Sequence, residues 1–139
     1  MDQLTPEHRS WNMARIRSKD TKIEVKVRKR LFSEGFRFRK NDKRFPGKPD
    51  VVLPKYKTVI FVNGCFWHKH YGCKKARVPK TNVMFWKEKM ERNAANDRLH
   101  LEQIEEMGWH AITLWECELE KDFNGVMDST IERLYQAIR

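Results

Sequence analysis

The stretch PGKPDVVLPKYKTVIFVNGCFWHKHYGC, residues 46–73, contains the signals that decide the fold of this chain. Within it, DVVL (50–53) and TVIFV (58–62) are apolar, β-branched runs separated by a turn-forming segment at 54–57. We therefore predict two neighbouring strands here. The second strand leads directly into a segment with two cysteines, two histidines and a Phe-Trp pair. That composition is typical of neither a core strand nor a flexible loop.

Helical patterns lie on both sides of these strands. Thr21 and Glu24 form a capping-box pattern before a helix that ends near Gly35, and Ile23, Val27 and Leu31 form its apolar stripe. The other predicted elements are an opening helix at Thr5-Pro6, an extended FRFR piece (36–39), a long helix over about 82–107 that stops at Gly108, a strand at 109–115, and a closing helix on Ile131, Leu134, Tyr135 and Ile138. The order helix, three strands, helix, strand, helix predicts an α/β fold with one small mixed β-sheet flanked by helices.

The chain has 139 residues, which fits a single domain. We divide it into a basic arm (1–20), a core (21–119) and a C-terminal helix (120–139). Hydrophobic residues at 40% and aromatic residues at 12% indicate a globular chain. No run approaches the roughly 20 apolar residues of a membrane span, and the polar N-terminus lacks a signal-peptide core. We therefore expect a cytoplasmic protein without membrane contact.

The net charge of +10 is concentrated in the N-terminal third of the chain. Residues 8–48 contain 15 basic and 4 acidic side chains, whereas the remaining residues contain 14 basic and 15 acidic ones. A one-sided surplus of this size favours a polyanionic partner, and nucleic acid in particular. An anionic membrane is disfavoured because the basic stretch has no broad apolar face.

The three cysteines and one histidine have spacings that suit a metal site. Cys65, His70 and Cys73 follow the pattern C-x4-H-x2-C, and Cys117 lies just beyond the end of the next strand. Three sulfurs and one nitrogen form a closed tetrahedral set suited to structural zinc. The alternative is that these are small buried thiols. His68 also lies between the cysteines; we assign His70 as the ligand and leave His68 for chemistry.

A second cation site is predicted around Asp50, which follows PGKP and opens a strand. This pattern is similar to the first half of the PD-(D/E)xK nuclease motif, and Glu24 could add a second carboxylate through water. Mg²⁺ prefers oxygen ligands and keeps several waters, so few carboxylates suffice. The expected acid-x-Lys is replaced by Phe61-Val62-Asn63, where the Val62 carbonyl remains a possible ligand and His68 could move protons. On generic grounds alone, an aspartate in this position is more often a strand-edge or turn carboxylate than a metal ligand.

Two groups of residues that include aromatic side chains could contact nucleic acid. Phe66 and Trp67 stand between a zinc ligand and His68, where they either pack in the core or enter a base stack. On the long helix, the spacing of 3, 4 and 4 residues places four side chains on one face. They are Trp86, Lys89, Asn93 and Asp97.

Four motifs occur in the order seen in the very-short-patch-repair (Vsr) mismatch endonucleases: PGKPDVVLP, VIFVNGCFWHKHYGC, FWKEKMERNAANDR and GWHAITLWECEL. The chain resembles this family from about Ser10 to Leu119. The resemblance implies a restriction-endonuclease-like PD-(D/E)xK core with a structural zinc site and Mg²⁺-dependent nicking of one DNA strand. The implied substrate is duplex DNA with a T·G mismatch left by 5-methylcytosine deamination, and mismatch-repair proteins are implied further partners.

The resemblance also implies roles for individual residues around the two cation sites. Asp50 and the Val62 carbonyl match the Mg²⁺ ligands, Glu24 the outer-sphere carboxylate and His68 the general acid/base. Asn63 stands where a better-known form of the motif has a histidine, so the role of a second histidine is missing here. The zinc ligands match Cys65, His70, Cys73 and Cys117, with one extra residue between His70 and Cys73.

The resemblance implies further roles in contacting the mismatch. By that resemblance, Trp86 would belong to the intercalating aromatics with Phe66 and Trp67, and Met13 would enter from the other groove, although on sequence alone Met13 is equally explained as filling a gap in the core. Lys89 and Asn93 would contact the mismatched bases, and Asp97 would orient an active-site partner. In this hypothesis the nick falls 5′ to the mismatched T and leaves a 3′-hydroxyl and a 5′-phosphate.

Two other classes of function remain open at this point. One is a non-catalytic, zinc-stabilised DNA-binding module, in which the charge and the aromatics only bind. The other is a nuclease of related fold that acts on paired or branched DNA. A single-strand nick requires only a monomer, so we expect a monomeric protein.

Overall fold

A computed structural model describes residues 21–65, 70, 73 and 80–138. Within that part of the chain, four α-helices and three strands follow one another. They are α1 (Lys22–Ser33), β1 (Val51–Leu53), β2 (Thr58–Asn63), α2 (Val83–Glu106), β3 (His110–Trp115), α3 (Glu116–Lys121) and α4 (Phe123–Ala137). The α/β class predicted from the sequence is confirmed.

Helix α1 begins and ends as predicted. The Thr21 hydroxyl accepts a 3.4 Å hydrogen bond from the backbone N–H of Glu24, which satisfies one of the unpaired donors of the first turn. Gly35, just past the helix, has a φ of +93°, which a glycine adopts without steric cost. The buried face differs in part from the prediction, because Glu24 and Arg28 are buried beside Val27 and Leu31.

The three strands form one mixed sheet in the order β1-β2-β3. β1 pairs antiparallel with β2, so that Val51 lies opposite Ile60. β2 pairs parallel with β3 over six positions, from Thr58 opposite His110 to Asn63 opposite Trp115. A parallel pair requires a long crossover, and α2 lies within that crossover. The carboxyl ends of β2 and β3 therefore meet at one edge of the sheet.

Two predicted elements differ from the structure. The FRFR piece is not a strand; it contributes one isolated antiparallel bridge between Arg39 and Val52. The chain turns away directly afterwards, since Asn41 has a φ of +51°. The closing helix predicted over 120–139 corresponds to α4 and begins at Phe123, because the carboxylate of Asp122 accepts a 3.1 Å hydrogen bond from the backbone N–H of Gly125 and caps it. The short helix α3 before it was not predicted.

The sheet has a buried core on each face. The larger core packs one face of β2 and β3 against α1 and α4. Its members include Val27, Leu31, Ile60, Val62, Ile112, Leu114 and Leu134. The smaller core lies on the opposite face, where Val52 and Val59 meet Ile104 of α2. Because side chains alternate along a strand, Asn63 and Phe61 are on the face that α2 covers.

None of the helices in the described ranges combines the length and the apolar character needed to span a membrane.

A candidate metal centre and an adjacent cleft at the edge of the sheet

The candidate site lies where the parallel strands β2 and β3 end. Asn63 and Trp115 are register partners at this end, and each strand is followed by a cysteine two residues later, Cys65 and Cys117. The backbone N–H of Cys117 donates a 3.4 Å hydrogen bond to Sγ of Cys65, across a separation of 52 residues. The parallel pairing of β2 with β3 therefore brings these two cysteines to one edge of the sheet.

The four predicted zinc ligands converge at this edge. One ligand atom from each of Cys65, His70, Cys73 and Cys117 lies within 4.8 Å of all the others. Nδ1 of His70 is 3.5 Å from Sγ of Cys65 and 3.3 Å from Sγ of Cys117. The four residues could therefore hold one metal ion through three sulfurs and one imidazole nitrogen.

Backbone hydrogen bonds also link three of these four residues. The backbone N–H of His70 donates to the carbonyl of Cys65 at 3.0 Å, and that of Cys73 donates to the carbonyl of His70 at 3.2 Å. Burial raises the pKa of the Cys65 thiol to about 12 and also raises the pKa of the Cys117 thiol. Thiolates packed this closely need a cation to compensate their charge, because burial penalises the charged form.

The ring of His70 is held in place by two residues that the sequence patterns did not single out. The indole of Trp115 stacks on the imidazole, with centroids 4.2 Å apart and planes 8° from parallel. On the far side of the ring, Nε2 lies 3.9 Å from Oε1 of Glu118. A carboxylate at the second nitrogen of a ligand histidine is a recurring outer-shell arrangement in metal sites. The signal in the sequence was Glu118 directly after the ligand Cys117.

Asp50 and Val62 are also brought together, as predicted. The backbone N–H of Val62 donates a 2.6 Å hydrogen bond to Oδ2 of Asp50. Asp50 immediately precedes β1 and is half-buried, whereas Val62 is buried in β2. The second predicted carboxylate, Glu24, lies in the first turn of α1, where it is buried and its Oε2 is 3.9 Å from Nη1 of Arg28.

A cleft of about 460 Å³ lies between this end of the sheet and α2. Asn63 and Asp97, both predicted site residues, line it from opposite elements, and the stacked pair His70 and Trp115 forms part of its wall. The cleft thus adjoins the metal centre. Its further polar lining consists of Arg98, His100 and Thr113, which sequence reasoning missed. His100 could have been found from its position one helical turn beyond Asp97.

The predicted face of the long helix is present in α2. Trp86, Lys89, Asn93 and Asp97 are all half-buried on a helix whose other side is exposed. The Nζ atom of Lys89 lies 5.9 Å from the ring centroid of Trp86. The helix begins with three exposed apolar side chains, Val83, Met84 and Phe85. This end of α2 therefore combines exposed apolar surface with the positive charge of Lys89.

Four predicted site residues lie outside the described residues: Met13, Phe66, Trp67 and His68. Their roles stay predictions, and so does the division of the chain into an arm, a core and a closing helix.

The chain is similar to known DNA endonucleases. A family profile for DNA mismatch endonuclease Vsr matches residues 1–75. The chain is 47% identical over 138 residues to the type II nicking enzyme V.NmeAIP of Neisseria meningitidis serogroup A, an alignment that covers 99% of this chain and 96% of that protein. It is 39% identical over 130 residues to the DNA mismatch endonuclease Vsr of Escherichia coli K12, covering 94% and 83% of the two chains.

A third relative is the type II nicking enzyme V.XorIIP of Xanthomonas oryzae, with 43% identity over 118 residues and coverage of 85% and 86%. A mixed sheet with a carboxylate and a Cys/His cluster at its edge, combined with these matches, defines the class as a DNA endonuclease of the PD-(D/E)xK fold. The chain belongs to the Vsr family of DNA mismatch endonucleases. DNA is accordingly a partner of this protein.

Proposed function

We propose that this endonuclease is Mg²⁺-dependent and nicks one strand of duplex DNA 5′ to the T of a T·G mispair that arises from 5-methylcytosine deamination. The observation that carries the proposal is the 2.6 Å hydrogen bond from Val62 to Asp50 at the edge of the sheet. This edge adjoins the cluster of Cys65, His70, Cys73 and Cys117, referred to below as the Cys/His centre. The mismatch in the name of the Escherichia coli relative supports the choice of substrate.

The donor set around Asp50 suits Mg²⁺. The carboxylate of Asp50 and the backbone carbonyl of Val62 are hard oxygen ligands, which Mg²⁺ prefers and which leave room for bound water. The hydrogen bond from the Val62 N–H fixes the carboxylate relative to β2. Glu24, buried in α1, is the proposed outer-sphere carboxylate. When bound, the ion would supply Lewis-acid stabilisation of charge on the phosphate.

The donor set of the second centre suits Zn²⁺. Three cysteine sulfurs and one imidazole nitrogen leave no open position, which is typical of a structural rather than a catalytic zinc site. Cys65, His70, Cys73 and Cys117 would hold the ion. Structural zinc contributes on the order of 10 kcal/mol to folding in small domains, which is enough to order a loop with little core of its own.

Mismatch recognition is assigned to the half-buried face of α2 and to the predicted intercalating residues. Wedging apolar side chains between base steps costs a few kcal/mol, and less where the pairing is already imperfect. A T·G mispair therefore opens more easily than an A·T pair. Trp86 and the predicted Met13, Phe66 and Trp67 would enter the stack, while Lys89 and Asn93 contact the bases.

The proton transfers are assigned to His68. An imidazole titrates near neutral pH, so it can accept and return a proton during hydrolysis. Asn63 lies in the cleft opposite Asp97 and cannot titrate. The proposed mechanism therefore uses a single histidine, and the products are a 3′-hydroxyl and a 5′-phosphate.

The other features of the proposal follow from the charge pattern and the chemistry. The basic arm (1–20) would contact phosphates, the core (21–119) would carry the chemistry, and residues 120–139 would close a single nuclease domain. We propose a cytoplasmic monomer, because one nick needs one active site, with mismatch-repair proteins as further partners.

A second candidate function is nicking at a defined sequence in fully paired DNA. It is favoured by the names of two relatives, which are type II nicking enzymes. This candidate predicts that a paired duplex is cut as efficiently as one with a mismatch.

The two candidates are separated by a gel assay on T·G, A·T and G·C duplexes that share their flanking bases. We expect Mg²⁺ to support nicking of the T·G duplex alone and EDTA to abolish it. Equal cleavage of the three duplexes would overturn the mismatch specificity, and undiminished cleavage in EDTA would overturn the metal requirement. If no duplex is cleaved, both nicking functions are wrong and DNA binding is the function that remains.

A further inference from the structure

The turn that precedes Asp50 has a geometry that only a few residues can adopt. The backbone N–H of Lys48 donates to the carbonyl of Phe45 at 3.3 Å, which closes a four-residue turn with Pro46 and Gly47 at its centre. Gly47 has a φ of +78°. Proline followed by a residue with positive φ is the signature of a type II turn, in which glycine is strongly preferred at the second central position.

Side-chain contacts hold the segment before this turn and the first residue of the turn. Before it, the carboxylate of Asp42 accepts hydrogen bonds from the Arg44 guanidinium at 2.7 to 3.2 Å. The ring of Phe45 packs edge-on against Trp109 with centroids 4.8 Å apart. The turn is therefore seated on the end of α2 and the start of β3, and it is not a loose surface loop.

Gly47 itself lies directly on α2. A Cβ atom at this position would be 2.8 Å from Nδ1 and 3.1 Å from Cγ of His100, and 3.1 Å from Cε1 of Phe61. Real Cβ atoms essentially never lie this close to another heavy atom, so a side chain at position 47 would have to displace either the His100 imidazole or the turn. His100 and Phe61 also line the cleft beside the candidate active site.

The position of the turn determines the position of Asp50, which follows Gly47 by three residues. The intervening Pro49 is buried, and its ring fixes φ. Beyond Asp50, the chain is fixed by the register of β1, with Val51 opposite Ile60. A displacement of the turn away from α2 must therefore be taken up over very few residues, and the carboxylate is among them.

We propose that Gly47 and His100 are positioning residues that set the Asp50 carboxylate through direct contact between the 45–48 turn and α2. The inference rests on the proposed role of Asp50. A misplacement of about 1 Å at a catalytic centre can reduce the rate about a hundredfold. Any side chain at position 47 should therefore slow the chemistry and leave DNA binding intact.

The test compares two glycines of similar backbone geometry. Gly108 has a φ of +81°, close to that of Gly47, but a Cβ there would meet nothing within 4 Å. Gly47→Ala and Gly108→Ala therefore impose similar backbone strain, and only the first creates the contact with His100. We expect the single-turnover nicking rate of Gly47→Ala to fall about a hundredfold, with the Kd for DNA unchanged. Gly108→Ala should nick at close to the wild-type rate.

A second substitution distinguishes positioning from general damage. His100→Ala removes the atoms nearest to position 47. The double variant Gly47→Ala/His100→Ala should therefore nick at least tenfold faster than Gly47→Ala. His100→Ala alone should slow nicking several-fold by leaving the turn unsupported. The Mg²⁺ concentration for half-maximal nicking should rise in Gly47→Ala and return toward the wild-type value in the double variant.

The inference is overturned if Gly47→Ala and Gly108→Ala nick at equal rates, or if the double variant is no faster than Gly47→Ala. If Gly47→Ala does not fold, His100→Ala alone decides the question, and a wild-type rate would overturn the proposal. The outcome is separable from the function assigned to Asp50. If Asp50→Asn is fully active, the proposed role of Asp50 is wrong. If Asp50→Asn is inactive but Gly47→Ala nicks at the wild-type rate, only the proposed positioning contact is wrong.

Discussion

The backbone N–H of Val62 donates a 2.6 Å hydrogen bond to Oδ2 of Asp50, and so links the residue before β1 to the end of β2. The bond draws the carboxylate toward the edge of the sheet that also bears the Cys/His centre. The same residue, Val62, thereby orients the carboxylate through its N–H and offers its carbonyl as a second oxygen.

The first prediction concerns the charge of this carboxylate. Asp50→Asn keeps an oxygen that can accept the Val62 hydrogen bond but removes the negative charge that a hard cation needs. We expect nicking of a T·G duplex to fall at least a thousandfold while the Kd for DNA stays within about threefold, as measured by gel assay and fluorescence anisotropy. Asp128→Asn, the same change at an exposed carboxylate paired with Arg30, is the control and should retain activity.

The second prediction concerns occupancy of the Cys/His centre. His70→Gln removes the nitrogen that lies 3.3 and 3.5 Å from two cysteine sulfurs. We expect the purified wild type to contain one zinc per chain by elemental analysis, and the variant to contain much less and to melt at a lower temperature. His110→Gln, a change at an exposed histidine on β3, should keep the wild-type zinc content and melting temperature. Wild-type protein without zinc would contradict the assignment.

The third prediction is a pH dependence of metal binding. Burial raises the pKa of Cys65 to about 12, so the metal-free thiol carries its proton at pH 7, and the proton must leave when the metal binds. Affinity should therefore fall as the pH is lowered from 8 to 6, and binding should release protons. Calorimetric titration in buffers of different ionisation enthalpy measures that release. An affinity independent of pH would show that Cys65 is not a ligand.

The fourth prediction concerns Glu118, whose Oε1 lies 3.9 Å from Nε2 of His70. An outer-shell carboxylate orients its histidine and raises the basicity of the ligand. Glu118→Gln should weaken zinc binding about 10- to 100-fold in competition with a chromophoric chelator, without a change in the circular dichroism of the loaded protein. Glu105→Gln, at an exposed position near the end of α2, is the matched control. Equal affinities for the two variants would argue against the outer-shell role.

The fifth prediction tests the larger core. The side chain of Leu134 is fully buried on α4, whereas Leu99 on α2 is 50% exposed. Leu134→Ala should lower the free energy of unfolding by about 2–5 kcal/mol, because it removes transfer energy and leaves a cavity. Leu99→Ala should lower it by less than about 1 kcal/mol. Urea denaturation of the metal-loaded protein measures both, and equal losses would contradict the assignment of the core.

The strands and the long helix could be predicted because their signals are local. Val51–Leu53 and Thr58–Asn63 are β-branched runs around a turn, and α2 runs from Val83 to Glu106 within one residue of the predicted limits. The short helix α3 was not predicted, because its six residues carry no helical pattern of their own and its end is set by Asp122, which caps α4. The FRFR piece alternates like a strand, but only Arg39 finds a partner on β1.

The sequence by itself determined which residues are chemically able to bind metal, because cysteine, histidine and aspartate are recognisable by type and spacing. It also determined that Trp86, Lys89, Asn93 and Asp97 share a helical face, since helical periodicity is a local property. Only the tertiary structure decided that Trp115 and Glu118 lie against the ring of His70, and that Gly47 lies beside His100. These contacts follow from the parallel pairing of β2 with β3 and from the packing of α2, and both link residues far apart in the chain that no local pattern connects.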